Sequence, residues 1–246
     1  MFALARLYER HEHVALLFSG GRDSLACLHL ARPYWDRTTV IWVNTQAVFP
    51  EIKDVMRTIR ELVPRFHEVR ADQPASIVRS GFPADVVPVD WTPFGQACTS
   101  TKPIKIRPYT ECCAENLSMP GDQAARDLGC TAIIRGQRAD EAHRGPATNG
   151  FVHEGVEYCH PIEGWSADDV LAYLREQGCE ITERLSMPHS SLDCWSCTAF
   201  AADSAPRLEY IRRHYPDRYP AIKGWMRVVR NAAAKELQAL DRLLED

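Results

Sequence analysis

The most constraining feature of this chain is a junction of three short pieces near its start. His13–Ser19 (HVALLFS) is an apolar run of strand length, Gly20-Gly21 interrupts it, and Asp23–Ala31 continues with Leu25, Leu28 and Leu30 at helical spacing until Pro33. A buried strand that feeds a helix through a glycine turn is the opening unit of a parallel α/β sheet. The rhythm then repeats. Thr38–Asn44 (TTVIWVN) is β-branched and continuous, Pro50 opens a helix from about Glu51 to Leu62, and Arg65–Val69 reads as a weaker strand. Further on, the pattern predicts a helix over Gly121–Gly129, strands over Thr131–Arg135 and Glu157–Ile162, and a helix capped by Ser166 that runs to about Gln177. Gly81–Tyr109 is proline-rich and without period, so it reads as a long irregular stretch. The tail from Asp203 reads as helical, and Arg218–Leu244 is amphipathic. The expectation is a doubly wound, mostly parallel α/β sheet over residues 1–200, with a helical C-terminal extension over 201–246.

Composition narrows the possible functions. With 45% apolar and 25% charged residues among 246, the chain is ordinary globular material. A net charge of −4 speaks against sequence-blind clamping of nucleic acid, so a nucleic-acid acceptor is not indicated by charge. No apolar run approaches the roughly 20 residues of a membrane helix. The start, MFALARLYERHEHV, lacks the layout of a signal peptide. A cytoplasmic protein with no membrane partner is therefore expected. The sequence has nine cysteines, at 27, 98, 112, 113, 130, 159, 179, 194 and 197. In a reducing compartment such clustering points to metal binding or catalysis rather than disulfides.

Ser19-Gly20-Gly21-Arg22-Asp23-Ser24 fills the turn between the first strand and its helix. Glycines admit an anion close to the backbone, and a helix N-terminus offers unpaired N–H groups and the positive end of its dipole. Ser19 and Ser24 add hydroxyls, and Asp23 is a candidate for holding Mg2+ between phosphates. The SGGxDS pattern resembles the PP-loop, or adenine nucleotide alpha-hydrolase, superfamily, whose Rossmann-like fold is the one expected here. Asn44-Thr45-Gln46 with Phe49-Pro50-Glu51 resembles the "DTG…FPE" segment of the phosphoadenosine phosphosulfate (PAPS) reductase family. That segment lies beside the adenosine in the family. Here Asn44 and Gln46 stand where Asp and Gly are frequent.

Cys112-Cys113 and Cys194-x-x-Cys197 form a quartet, with 80 residues between Cys113 and Cys194. Four thiolates can hold a [4Fe–4S] cluster or a zinc ion, with unligated thiols as the remaining reading. Neighbouring side chains diverge, which suits separate irons of a cubane better than two corners of one tetrahedron. The CC…CxxC arrangement resembles the cluster-bearing adenosine phosphosulfate (APS) and PAPS reductases and related PP-loop proteins of sulfur transfer. Cys27, Cys130 and Cys179 fit buried structural roles. Cys98 is close in sequence to Lys102, Lys105 and Arg107, whose charges would lower its pKa, and is a candidate nucleophile; an idle exposed thiol is the competing reading.

Arg135-Gly136-Gln137-Arg138, followed by Glu141 and Arg144, resembles the family's "GQR…R" stretch, in which arginines face the sulfonucleotide. The planar guanidinium fork suits phosphate or sulfate. Pro161–Ser166 with Asp169-Val170 resembles the family's "P…W…DV" segment. The resemblance thus implies nucleotide binding by Ser19–Ser24, Asn44, Thr45, Gly136, Gln137, Arg138 and Arg144, with Asp23, Arg138 and Cys98 as catalytic candidates. It covers roughly residues 13–200. One departure stands out. Thioredoxin-dependent members use a cysteine near the C-terminus, whereas no cysteine follows Cys197 in this sequence. Three functions remain: ATP-dependent sulfur transfer of the ATP pyrophosphatase type, sulfonucleotide reduction of APS or PAPS with a non-standard thiol, and a non-catalytic nucleotide- and cluster-binding subunit. The corresponding partners are a thioredoxin-like reductant or a sulfur donor. A homo-oligomer is compatible with the C-terminal helix.

Overall fold

A computed structural model describes residues 2–99, 106–141, 145, 147–187 and 193–244. The strands are β1 (Val14–Leu17), β2 (Thr38–Asn44), β3 (Phe66–Arg70), β4 (Phe82–Ala84), β5 (Ile106–Pro108), β6 (Ala132–Ile134), β7 (Val152–His153) and β8 (Val156–Cys159). The helices are α1 (Phe2–Arg10), α2 (Arg22–Leu30), α3 (Pro50–Leu62), α4 (Gln73–Ser80), α5 (Pro93–Thr99), α6 (Tyr109–Cys113), α7 (Met119–Asp127), α8 (Ala167–Glu176), α9 (Glu183–Ser186), α10 (Ala205–His214) and α11 (Tyr219–Leu244).

The main sheet has the order β3-β2-β1-β6-β8-β7 and is parallel except for β7, which pairs antiparallel with β8. Its strands are short and apolar because both faces are covered. Leu16, Val40, Trp42 and Ile134 point into the larger core, with Leu7 of α1, Leu28 of α2, Ile52 of α3 and Leu174 of α8. The alternate residues Ala15, Ile41 and Ile133 point to the opposite face, where Ala124 and Ala125 of α7 cover them. Tyr210, Ile211 and Ile222 of the C-terminal helices are buried in the larger core, so the extension is welded to the α/β unit.

The chain leaves β1 toward β2 and β3 on one side and places β6 on the other. The carboxyl ends of β1 and β6 therefore flank a topological switch, the position where open parallel sheets bind ligands. The expected strands and helices lie close to their predicted places, with β8 shorter than predicted. The stretch 81–109 differs from the expectation. It carries α5 and a second parallel pair, Phe82↔Ile106 to Ala84↔Pro108, packed on Ala232 of α11. Such a pair is invisible to periodicity because each strand has three residues and its partner is distant in sequence.

Candidate functional site

The Ser19–Ser24 loop, the candidate phosphate loop, sits at the switch. Gly20 has φ +80°, a backbone conformation that favours glycine, and Gly21 is the N-cap of α2. A glycine cap has no side chain to occupy the first N–H groups of the helix, which leaves them for an anion. Ser24 donates to the Gly21 carbonyl at 3.0 Å, and the Ser19 and Ser24 hydroxyls are 3.2 Å apart. The loop after β6 meets it directly. A Cβ on Gly136 would stand 2.6 Å from the Asp23 carbonyl carbon, so only glycine lets the two segments touch.

That contact brings Arg138 onto Asp23. Arg138 is 3% exposed and ion-paired with Asp23, and its Nε donates to Asp140 at 2.9 Å. Burial works against the guanidinium charge, but Asp23 and Asp140 outweigh it and raise its pKa. Burial raises the pKa of the neighbouring Glu141, which accepts from the Arg138 N–H at 3.1 Å. Arg135 is ion-paired with Asp122 and lies over the Tyr158 ring. Gln137 braces its own loop, accepting from the Gly145 N–H at 3.0 Å. Arg144 lies outside the described residues.

A cleft of about 180 Å³ opens beside the loop, lined by Leu17, Ser19, Trp42, Val43, Leu117 and Arg135 among others. Asn44 and Thr45 border this end of β2 but use their side chains internally. Asn44 donates to Glu68 at 2.9 Å, and the fully buried Thr45 donates to the Asp193 carbonyl at 2.8 Å. Thr45 thereby ties β2 to the CxxC turn. The Trp195 N–H donates to Ala47 O at 2.9 Å, Ser196 to Gln73 at 2.7 Å, and Arg207 to Cys197 O at 2.8 Å.

The four cysteines line one cavity of about 30 Å³, together with Gln73, Asn116, Leu117 and Asp193. Leu117 and Asp193 also line the cleft, so the two spaces share a wall. Cys112 and Cys113 end α6, and a π-helical turn, Ala114–Ser118, follows. Burial raises Cys112, Cys113 and Cys194, Cys113 to about 12, and each is raised further by Cys197. Thiols that repel one another in a buried pocket are stable as thiolates only with a cationic centre among them. Among the described residues no three His, Cys, Asp or Glu side chains converge closely enough for a single metal ion. Cys112 and Cys197 are buried and Cys113 and Cys194 half-buried around this cavity, a set of four soft donors of the type that holds an iron–sulfur cluster or a zinc ion.

Cys98 is exposed on α5, and Arg107 does not serve it, being 4% exposed and held against Glu115, Ser76 and Cys112. Lys102, Lys105 and His189 lie outside the described residues. Cys27, Cys130 and Cys159 are buried, while Cys179 is half-buried with its sulfur 3.2 Å from His29 Nε2.

Arg184 was missed in the sequence, and Glu51 was read only as part of the Phe49-Pro50-Glu51 segment. Arg184 of α9 donates to the Gly20 carbonyl and so holds the phosphate loop from outside. Glu51, at the start of α3, accepts from both Tyr210 and Tyr215, which links the C-terminal extension to the same region. No local pattern signals these contacts, because each partner is more than a hundred residues away.

The family model for the phosphoadenosine phosphosulfate reductase domain matches residues 13–200. Among solved structures, the chain is similar to phosphoadenylyl-sulfate (PAPS) reductase from Candida auris in its phosphate complex. The TM-score is 0.54 at 17% identity, covering 79% of this chain and 87% of that one. No curated protein matches the sequence.

Proposed function

The chain belongs to the phosphoadenosine phosphosulfate reductase domain family, and from that premise we propose an iron–sulfur enzyme that binds an adenine nucleotide and transfers sulfur at the expense of ATP. The observation that carries the reading is the wall shared by the phosphate-loop cleft and the four-cysteine cavity at Leu117 and Asp193. Nucleotide phosphates would lie on Ser19–Ser24 at the α2 N-terminus, and the nucleoside in the cleft against Trp42 and Val43. Asp23 would hold Mg2+. Arg138 is ion-paired with Asp23, so a Mg2+ held by Asp23 would take the place of that guanidinium and leave its fork to the phosphates. An acceptor oxygen then attacks the α-phosphorus, the bond to the bridging oxygen breaks, and pyrophosphate leaves with the electron pair. Sulfide-level sulfur released by a donor next attacks the acceptor carbon, the C–O bond to the nucleotide breaks, and AMP leaves with the electron pair. Cys112, Cys113, Cys194 and Cys197 would hold a [4Fe–4S] cluster, which when bound supplies iron able to ligate sulfur and exchange electrons.

The family match favours a second reading. A thiolate attacks the sulfonate sulfur of APS or PAPS and the S–O bond to the nucleotide breaks, leaving a thiosulfonate on the protein; a thioredoxin-like dithiol then attacks the protein sulfur, sulfite leaves with the electron pair, and the dithiol closes to a disulfide as the free thiol is restored. Cys98 is the exposed thiol available for that role.

The test uses anaerobically prepared protein. Asp23→Ala should abolish Mg2+-dependent turnover, and Cys194→Ser should lose the brown chromophore while still binding nucleotide. Unchanged turnover in the first variant, or full iron in the second, contradicts the assignment.

A further inference from the structure

We propose that Arg184 is the positioning residue of the phosphate loop: it holds the Gly20–Gly21 peptide with its N–H turned toward the anion. The inference rests on Ser19–Ser24 receiving phosphates, and it assigns a residue to which no motif points. A peptide between two glycines is the least restrained kind. Turning it over changes ψ of the first residue and φ of the second, and glycine accepts either sign of φ. Gly20 has φ +80° and Gly21 has φ −75°. A trans peptide sends its C=O and N–H in opposite directions. One orientation therefore offers the Gly21 N–H to a phosphate, and the other offers the Gly20 carbonyl, which repels it.

Arg184 donates to the Gly20 carbonyl. The Gly21 N–H then faces the other way, where it donates to the Ser19 hydroxyl at 3.3 Å. That is a long hydrogen bond to a neutral group, and an oxyanion replaces it with a stronger one. Ser24 holds the next carbonyl, that of Gly21, at 3.0 Å from within the loop, whereas the Gly20 carbonyl is held from outside. Arg184 is firmly mounted for this. Leu185 and Met187 beside it are buried, the Thr182 hydroxyl caps α9, and Glu183 is ion-paired with Arg213 and lies 3.1 Å from His214. The guanidinium is half-buried; burial works against its charge, while Glu51 and Tyr210 favour it. The Gly20 carbonyl offsets part of that cost.

The experiment is calorimetric titration of the full-length protein with ATP and with adenosine. Wild type is compared with Arg184→Lys and Arg184→Met, each also in a Gly21→Ala background. Alanine suits the observed φ of −75° and disfavours the positive φ of the overturned peptide. Its Cβ would lie 3.3 Å from the Ser19 hydroxyl, the movable end of a short side chain. Arg184→Met should weaken ATP at least about tenfold, the value of one hydrogen bond to a charged group, and leave adenosine binding unchanged. Arg184→Lys should restore most of the loss, because an ammonium donates to the same carbonyl. In the Gly21→Ala background the loss caused by Arg184→Met should shrink, since alanine then keeps the peptide turned. Equal ATP affinity in wild type and Arg184→Met, a parallel fall for ATP and adenosine, or an equal loss in both backgrounds overturns the inference while leaving the phosphate loop standing. A wild-type protein that binds ATP no more tightly than adenosine overturns both.

Discussion

At the scale of single residues, the strongest constraints sit where backbone or side chain has no spare room. Gly136 is one such position. Its replacement by Ala puts a methyl group 2.6 Å from the Asp23 backbone, so either the phosphate loop or the β6 loop must move. The expected cost is about 1–3 kcal/mol of stability, with nucleotide affinity reduced at least about tenfold, readable by calorimetric titration. Equal affinity for Gly136→Ala would mean that the two loops do not act together. His160 is another. It is 2% exposed beside Arg135, and both ring nitrogens lack partners among the described residues. Burial lowers its pKa from 6.5. As pH falls below that value the unfolded chain takes up a proton that the folded chain refuses, so stability declines toward acid and is complete above it. Urea unfolding at a series of pH values should show this acid slope reduced in His160→Gln, by up to about 1.4 kcal/mol per pH unit. An identical slope would show that the imidazole titrates freely. The motif marked Gly136 but not the reason a glycine is needed there, and nothing in the sequence marked His160. The Gly136 requirement comes from a neighbour over a hundred residues away, and the solitude of His160 is a property of packing.

At the scale of elements, the α/β rhythm was legible because each unit is local. Glycines at 20 and 21 separate β1 from α2, Pro50 starts α3, and the Ser166–Asp169 capping box starts α8. The β4–β5 pair was not, since its two short strands find each other only across the intervening α5. The role of α10 was equally hidden. Tyr210 on α10 and Tyr215 just after it both donate to Glu51 at the start of α3. Hydrogen bonds to a carboxylate contribute about 1.5–3 kcal/mol each. Tyr210→Phe and Tyr215→Phe should each lower stability by about 1 kcal/mol, because the remaining tyrosine still serves Glu51. The double variant should lose more than the sum, as Glu51 is then left short of donors. Additive losses in a denaturant-midpoint series would show that the two tyrosines bind Glu51 independently.

At the scale of the whole molecule, two assemblies meet at one sheet edge. The strand order brings the phosphate loop and the Arg138 loop together, and β2 reaches past them to hold the CxxC turn through Thr45 and Ala47. The residue types of this site could be read from the sequence, because SGGxDS and the paired cysteines are compact motifs. Their shared wall could not, since Leu117 and Asp193 carry no motif of their own. That wall is also why the nucleotide chemistry and the thiol pocket are assigned to one reaction. The most direct measurement follows single turnovers of anaerobic, iron-loaded protein in parallel with Mg-ATP plus a sulfur donor and with APS or PAPS plus a dithiol reductant. The account predicts pyrophosphate from ATP, lost in Asp23→Ala, and no sulfite from either sulfonucleotide. Sulfite release with no pyrophosphate would contradict it and make the protein a sulfonucleotide reductase with Cys98 as the first thiol to replace.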